Sequence, residues 1–388
     1  MADRWTSWED DLTALRRDIH AHPETAFEEF RTADLVAERL ESYGIEVHRG
    51  LAKTGVVGVL KAGTGNRAIG LRADMDALPI EELNDFDHRS THRGKMHACG
   101  HDGHTTMLLG AARYLAETRE FDGTVHFIFQ PAEENEGGGG VMVEEGLFEK
   151  FPCESVYGMH NMPGLDVGRF AVRQGPIMAA FDRFTVHIQG KGSHAALPQT
   201  GIDPIVVGAQ LVTAWQSLVS RATDPIDSVV LSVTKFHGGD AYNVIPDRIE
   251  LGGTIRTFRT DTRDRMERQL REMGERLCAA FGASFEMRYD RCYPATVNTG
   301  DETGYAAAAA AKVVGAANVD PNTPPLMGSE DFAFMLQARP GCYILIGNGA
   351  GENACMVHNP HYDFNDDILT LGARYWVQLA HDLLPVRA

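Results

Sequence analysis

Nine consecutive residues, Met96-His97-Ala98-Cys99-Gly100-His101-Asp102-Gly103-His104, carry a thiol, three imidazoles and a carboxylate. A hydrophobic core has no packing use for that density of ligand groups, so the fold has to present this stretch to a site. Cys99 and His101 stand two apart, and an extended or tightly turned backbone can point both side chains to one side. A thiolate and an imidazole converging on one point suit a borderline divalent cation such as Zn²⁺. A buried cysteine beside surface histidines is the plainer alternative. It loses ground because similar donor clusters recur down the chain.

The chain is 388 residues long and 43% hydrophobic, more than one compact core of ordinary size takes up, so two domains are expected. Its formal net charge of −18, spread without a long acidic run, repels nucleic acid and anionic membrane surfaces, and neither is an expected partner. A small anionic substrate stays open, because one local arginine outweighs a screened distant field. Met1 to Asp11 has no apolar segment of a secretory signal, and no apolar run is long enough to span a membrane. Six scattered cysteines without a Cys-x-x-Cys pair fit a reduced cytoplasmic protein.

Trp8 to Ile19 and Glu28 to Tyr43 have helical periodicity, the second stopping at Gly44. Strand-like runs follow at Val56 to Leu60, Ala68 to Ala73 and Thr124 to Gln130, with a helix over Thr105 to Thr118. Apolar strands alternating with helices predict an α/β fold with a mostly parallel sheet, whose ligands gather at the carboxyl ends of strands. Asp74, Asp76, Glu133 and Glu134 all sit at such ends. From about Phe181 the order becomes β-α-β-β-α-β, that of an α+β ferredoxin-like unit. The expected organisation is a discontinuous metal-binding catalytic domain, 1–180 and 294–388, interrupted by an inserted lid and dimerisation domain, 181–293.

Three further clusters join the first. Gln130-Pro131-Ala132-Glu133-Glu134 places two adjacent carboxylates after a buried strand, where they repel unless a cation lies between them or one is protonated. Gly158-Met159-His160-Asn161 follows the short apolar run Ser155 to Tyr157, so His160 is expected just past a strand end. Met356-Val357-His358-Asn359 repeats the His-Asn pair far away. Cys99, His101, Glu134, His160 and His358 make five ligands, one more than a closed structural zinc site uses. Two divalent cations sharing Cys99 would use all five.

These motifs, together with His20-Ala21-His22-Pro23-Glu24, Asp74-Met75-Asp76-Ala77-Leu78-Pro79 and His361-Tyr362-Asp363-Phe364, resemble the bacterial N-acyl-amino-acid amidohydrolases. That family includes hippurate hydrolase, aminoacylases and indole-3-acetyl-amino-acid hydrolases, and is related to carboxypeptidases with co-catalytic metals. The resemblance runs over nearly the whole chain. It implies that Cys99, His101, Glu134, His160 and His358 hold two divalent ions (Zn or Mn, with Co or Ni open) and that Glu133 is the general base. His194, in Gly-Lys-Gly-Ser-His-Ala-Ala, is implied near the scissile carbonyl, often of a partner subunit. Asn243 and Arg256 match substrate-binding positions, and Arg256 suits a bidentate grip on a carboxylate. Gln199 departs from the family's usual histidine and receives no role. Asp76 and Asp102 are expected to orient ligating histidines. The implied reaction is hydrolysis of an N-acyl amino acid, and a free sheet edge on the inserted domain predicts a homodimer through that domain. A dipeptidase or carboxypeptidase on the same scaffold, and a binding protein that has lost the reaction, are the alternatives.

Overall fold

The computed structural model describes residues 2–134, 136–351 and 355–386. Contacts divide the chain into two compact units, Met1–Ile177 with Thr296–Pro324 and Asp331–Ala388, and Met178–Ala295 with Pro325–Glu330. The return of Pro325–Glu330 to the second unit has no signal in composition or periodicity.

The first unit is built on an eight-stranded sheet. Its centre is parallel: Ala68–Asp74 lies between Gly123–Gln130 and Ser155–Pro163, and the latter pairs with Gly341–Gly349. Gly55–Ala62 and Glu46–Leu51 extend one side antiparallel. Nearly every residue of Ala68–Asp74 is buried, as a strand covered on both faces requires, which is why the run is mostly apolar on both faces. Helices Ala2–Ala21, His101–Thr118, Gly300–Val314 and Leu369–Leu383 pack into the same core with Leu71, Phe127 and Ile344. Pairing sets Asp74 opposite Gln130, so the two loops that leave these strands start side by side.

Two sequence expectations change. The strand holding His160 runs Ser155–Pro163, so the histidine lies inside it and not past its end. Helix His101–Thr118 starts four residues before the expected Thr105, so His101, Asp102 and His104 form its buried first turn. The short edge strand Glu46–Leu51, mostly exposed, lacks the apolar pattern that reveals strands.

The second unit is a four-stranded antiparallel sheet in the order Val229–His237, Arg248–Thr257, Ala180–Gln189, Ser284–Tyr293. Helices Pro204–Arg221 and Thr260–Ala280 cover it, with Trp215 fully buried between. Asp203 caps the first helix by accepting from the Ile205 and Val206 amides.

Candidate metal centre

Cys99 reaches its position through Gly100, whose φ of 92° turns the chain into helix His101–Thr118. A Cβ there would lie 2.3 Å from Asn161 Nδ2 and 2.6 Å from the Tyr362 hydroxyl, so the residue between thiol and imidazole has to be glycine. Asn161 fixes this turn: its Nδ2 donates to the Cys99 carbonyl at 2.7 Å, and its Oδ1 accepts from Tyr362 at 2.7 Å.

Around the turn, donor atoms from distant segments converge. The donor atoms of Cys99, His101 and His160 lie within 4.8 Å of one another, as do those of Cys99, Glu134 and His358, and those of His101, Glu133 and Glu134. Cys99 belongs to two of these groups. Its sulfur is 3.3 Å from His160 Nε2, while His358 Nε2 is 3.1 Å from Glu134 Oε1. His358 is held by its own amide, which donates to the Ala98 carbonyl at 2.7 Å, and it has a positive φ of 65°.

The outward faces of the imidazoles are fixed. His101 Nδ1 faces Asp76 Oδ1 at 3.2 Å, which leaves its buried Nε2 without a hydrogen bond. His160 Nδ1 donates to the Asn161 carbonyl at 2.6 Å, turning Nε2 towards Cys99. Such outer contacts choose the tautomer and orientation that a ligating histidine needs. Asp76 also accepts from the Glu134 amide at 2.9 Å, so one carboxylate sets two of the donors.

Electrostatics give the same reading. Burial, then Glu134, Glu133 and Asp74, push the Cys99 thiol well above its ordinary range. Burial pulls His101 down, but Asp74 and Asp76 outweigh it and raise it to about 10. Burial and neighbouring imidazoles hold His160 well below its usual value. A thiol held protonated among carboxylates, and an imidazole forced to carry charge, are what an anionic site shows towards protons. A divalent cation would supply the missing positive charge, and the orphaned His101 Nε2 and the mixed S, N and O donor set fit one.

Asp102 departs from expectation. It faces His20 Nδ1 at 2.8 Å and lies 3.6 Å from Arg16, and so orients a histidine outside the cluster. Burial pulls His20 down, but Asp102 and Glu82 raise its pKa to about 9. A histidine raised on folding stabilises the fold fully below its unfolded pKa, and that contribution is lost as pH rises through the folded value. Stability is therefore expected to fall between about pH 6.5 and 9 by on the order of 2 to 3 kcal/mol more in the wild type than in His20→Gln. Urea unfolding at both pH values measures this, and parallel pH slopes would refute it.

Three residues to which the motifs gave no role hold the centre in place, and a fourth packs next to it in the chain. His104 Nδ1 donates to Asp74 Oδ1 at 2.6 Å, and its Nε2 accepts from the Asn161 amide at 3.0 Å. Asn161 and Tyr362 hold the Cys99 turn, and their positions in the His-Asn and His-Tyr-Asp-Phe motifs were the available signal. His97 is buried without a hydrogen bond, and burial pushes it down to about 3, so it packs as a neutral ring.

His194, Asn243 and Arg256 lie in the second unit. His194 is exposed on the short strand Ser193–His194, paired with Val244. The Asn243 carbonyl accepts from the Ala195 amide at 3.0 Å. Arg256 is half-buried, its guanidinium 4.1 Å from the centre of the Phe181 ring and donating to Ser329 Oγ at 2.8 Å. It is thus a held side chain.

Residues 70–382 match the model of peptidase family M20/M25/M40. Over 370 residues the chain is 40% identical to the hippurate hydrolase of Campylobacter jejuni, covering 95% of this chain and 96% of that protein. It is 38% identical over 386 residues to thermostable carboxypeptidase 2 of Saccharolobus solfataricus, covering 98% and 95%. Among solved structures, the Bacillus subtilis YXEP protein, described as a dinuclear metal-binding peptidase of the M20 family, superposes with a TM-score of 0.85. It is 34% identical and covers 98% of this chain and 99% of its own.

Proposed function

The chain belongs to peptidase family M20/M25/M40, and on that premise we propose that it hydrolyses the amide bond of N-acyl amino acids, releasing a carboxylate and a free amino acid. The observation that carries this reading is the convergence of Cys99 with both His160 and the Glu134–His358 pair, beside a second carboxylate, Glu133. Cys99, His101, Glu134, His160 and His358 would hold two divalent cations, Zn or Mn with Co or Ni as further candidates. Such cations polarise a carbonyl and make a water easier to deprotonate.

The rest is work for the protein's own side chains. Glu133 takes the proton of the attacking water and hands it to the leaving amine nitrogen. His194 donates to the developing oxyanion, and Arg256 with Asn243 holds the free carboxylate of the amino acid. The carboxypeptidase likeness supports a second reading, since a C-terminal peptide bond also lies beside a free carboxylate.

Elemental analysis of freshly purified protein, joined to a panel of N-acetyl, N-benzoyl and dipeptide substrates with Zn²⁺, Mn²⁺, Co²⁺ or Ni²⁺, separates these readings. Faster turnover of N-acyl amino acids is expected. Preference for dipeptides or longer peptides favours the peptidase, and no turnover anywhere favours a binding protein.

Residues 181–293, inserted in the sequence of the catalytic domain 1–180 and 294–388, are the proposed lid and dimerisation domain. Its edge strand Val229–His237 exposes Val230 and Phe236, and Ile226, Tyr242 and Val244 nearby are also exposed. An apolar, unpaired edge of this kind suits a second copy of the chain, and a dimeric mass in solution is expected. A monomer at working concentration would contradict it. No helix among the described residues is long and apolar enough to cross a membrane. The cysteines are free thiols, which supports a reducing, cytoplasmic setting.

A further inference from the structure

Glu133 and Glu134 reach the donor cluster from consecutive positions, so the backbone just before them sets where both carboxylates lie. The residue before them, Ala132, has a φ of 57°, in the left-handed region that a Cβ disfavours. A strained turn next to reacting groups persists only where its surroundings hold it. Its carbonyl accepts from the Gly138 amide at 2.9 Å, and the next constraint, on Glu134, is the Asp76 contact already described.

The Ala132 amide itself donates to Glu29 Oε1 at 2.9 Å, across more than a hundred residues of chain. Glu29 is completely buried. It stands at the N-cap of helix Phe30–Ser42, where a short Asp, Asn, Ser or Thr side chain usually bonds to the helix's own amides, and it makes no such bond. Glu24 does that work, accepting from the Arg31 and Thr32 amides at 3.0 and 2.8 Å. Glu29 is thereby free to turn inward. Its Oε1 also accepts from the amide of Phe27, another residue with positive φ, at 3.0 Å, and its Oε2 accepts from the Thr54 hydroxyl at 2.6 Å. One oxygen thus pins two left-handed residues, one of them next to the base.

We propose that Glu29 is a positioning residue for the hydrolysis: by holding the Ala132 amide it keeps the left-handed turn that delivers Glu133 and Glu134 to the donor cluster. The proposal rests on the N-acyl-amino-acid hydrolase reading for its kinetic consequence and on geometry alone for the clamp. Burial pushes the Glu29 carboxyl up to about 7 against the pull of Thr54, with Asp76 adding to the rise. A carboxylate kept at that disadvantage suits a positional task.

The test compares Glu29→Ala with Glu29→Gln in the full-length, metal-loaded protein. The Gln amide oxygen still accepts from Ala132, whereas Ala removes the acceptor. Glu29→Ala is expected to lose kcat by about thirtyfold or more, with KM within about twofold and metal content unchanged, while Glu29→Gln keeps at least about a third of kcat. In parallel, hydrogen exchange of the peptide carrying Ala132 should stay slow in the wild type and Glu29→Gln, and become about tenfold or more faster in Glu29→Ala.

Three results would overturn the clamp: kcat within about threefold of wild type in Glu29→Ala, an equal kcat loss in both variants, or a loss that tracks released metal. If the wild type turns over no N-acyl amino acid, the functional reading fails by itself. The exchange comparison then decides the clamp, and equal exchange in all three proteins refutes it.

Discussion

Glu133→Gln is expected to cut kcat by at least about a hundredfold while leaving bound metal at the wild-type level. Glu133 is almost fully buried, its Oε1 accepts from the Asp331 amide at 3.3 Å, and its carboxylate lies in one cluster with His101 and Glu134. Glutamine keeps the shape and the accepting oxygen, so the loop and the neighbouring donors stay in place. What it loses is affinity for a proton, which is the whole contribution of a general base. Steady-state kinetics with metal analysis on the same sample reads both quantities. The matching change at Glu134 should instead release metal. Near-normal turnover in Glu133→Gln would remove this residue from the proposed role.

Arg72→Met is expected to destabilise the fold by about 3 to 5 kcal/mol. Arg72 is buried on the central strand Ala68–Asp74, and its guanidinium donates to Gln130 Oε1 at 2.8 Å, Asp74 Oδ2 at 2.7 Å and Asp331 Oδ1 at 3.1 Å. Both aspartates are completely buried. Burial alone would raise Asp74, but His101, Arg72 and His104 hold it well below the usual carboxylate range. Methionine fills much of the space and takes away the guanidinium that both buried carboxylates share, which costs more than the pair ever contributed. Lysine should not rescue it, because one ammonium cannot match three partners that a planar fork reaches together. Chemical unfolding measures the change, and a loss under about 1 kcal/mol would show that the carboxylates find other compensation.

Much of the centre was legible because donor chemistry is local. Cys99, His101, Glu134, His160 and His358 stand out as residue types in short motifs, and the rule that ligands collect at the carboxyl ends of parallel strands put Asp74 and Glu133 in the right neighbourhood. Periodicity found the strands Ala68–Asp74 and Gly123–Gln130 because both faces are covered and most of their residues are apolar. It missed Glu46–Leu51, whose exposed side chains carry no such pattern.

Partnership was not legible. Asp102 is adjacent to His101 in sequence and turns to His20 instead. Glu29 stands at the N-cap position of a helix and spends its carboxylate on a loop elsewhere. Both are choices that only packing makes.

The order of residues by itself determined which atoms are available to bind a cation and move a proton, since sulfur, imidazole and carboxylate keep their chemistry wherever the chain goes. Only the tertiary structure decided which buried group faces which. A charge taken out of water must find its compensation among whatever long-range folding brings within about 3 Å, and that choice is written in no single segment.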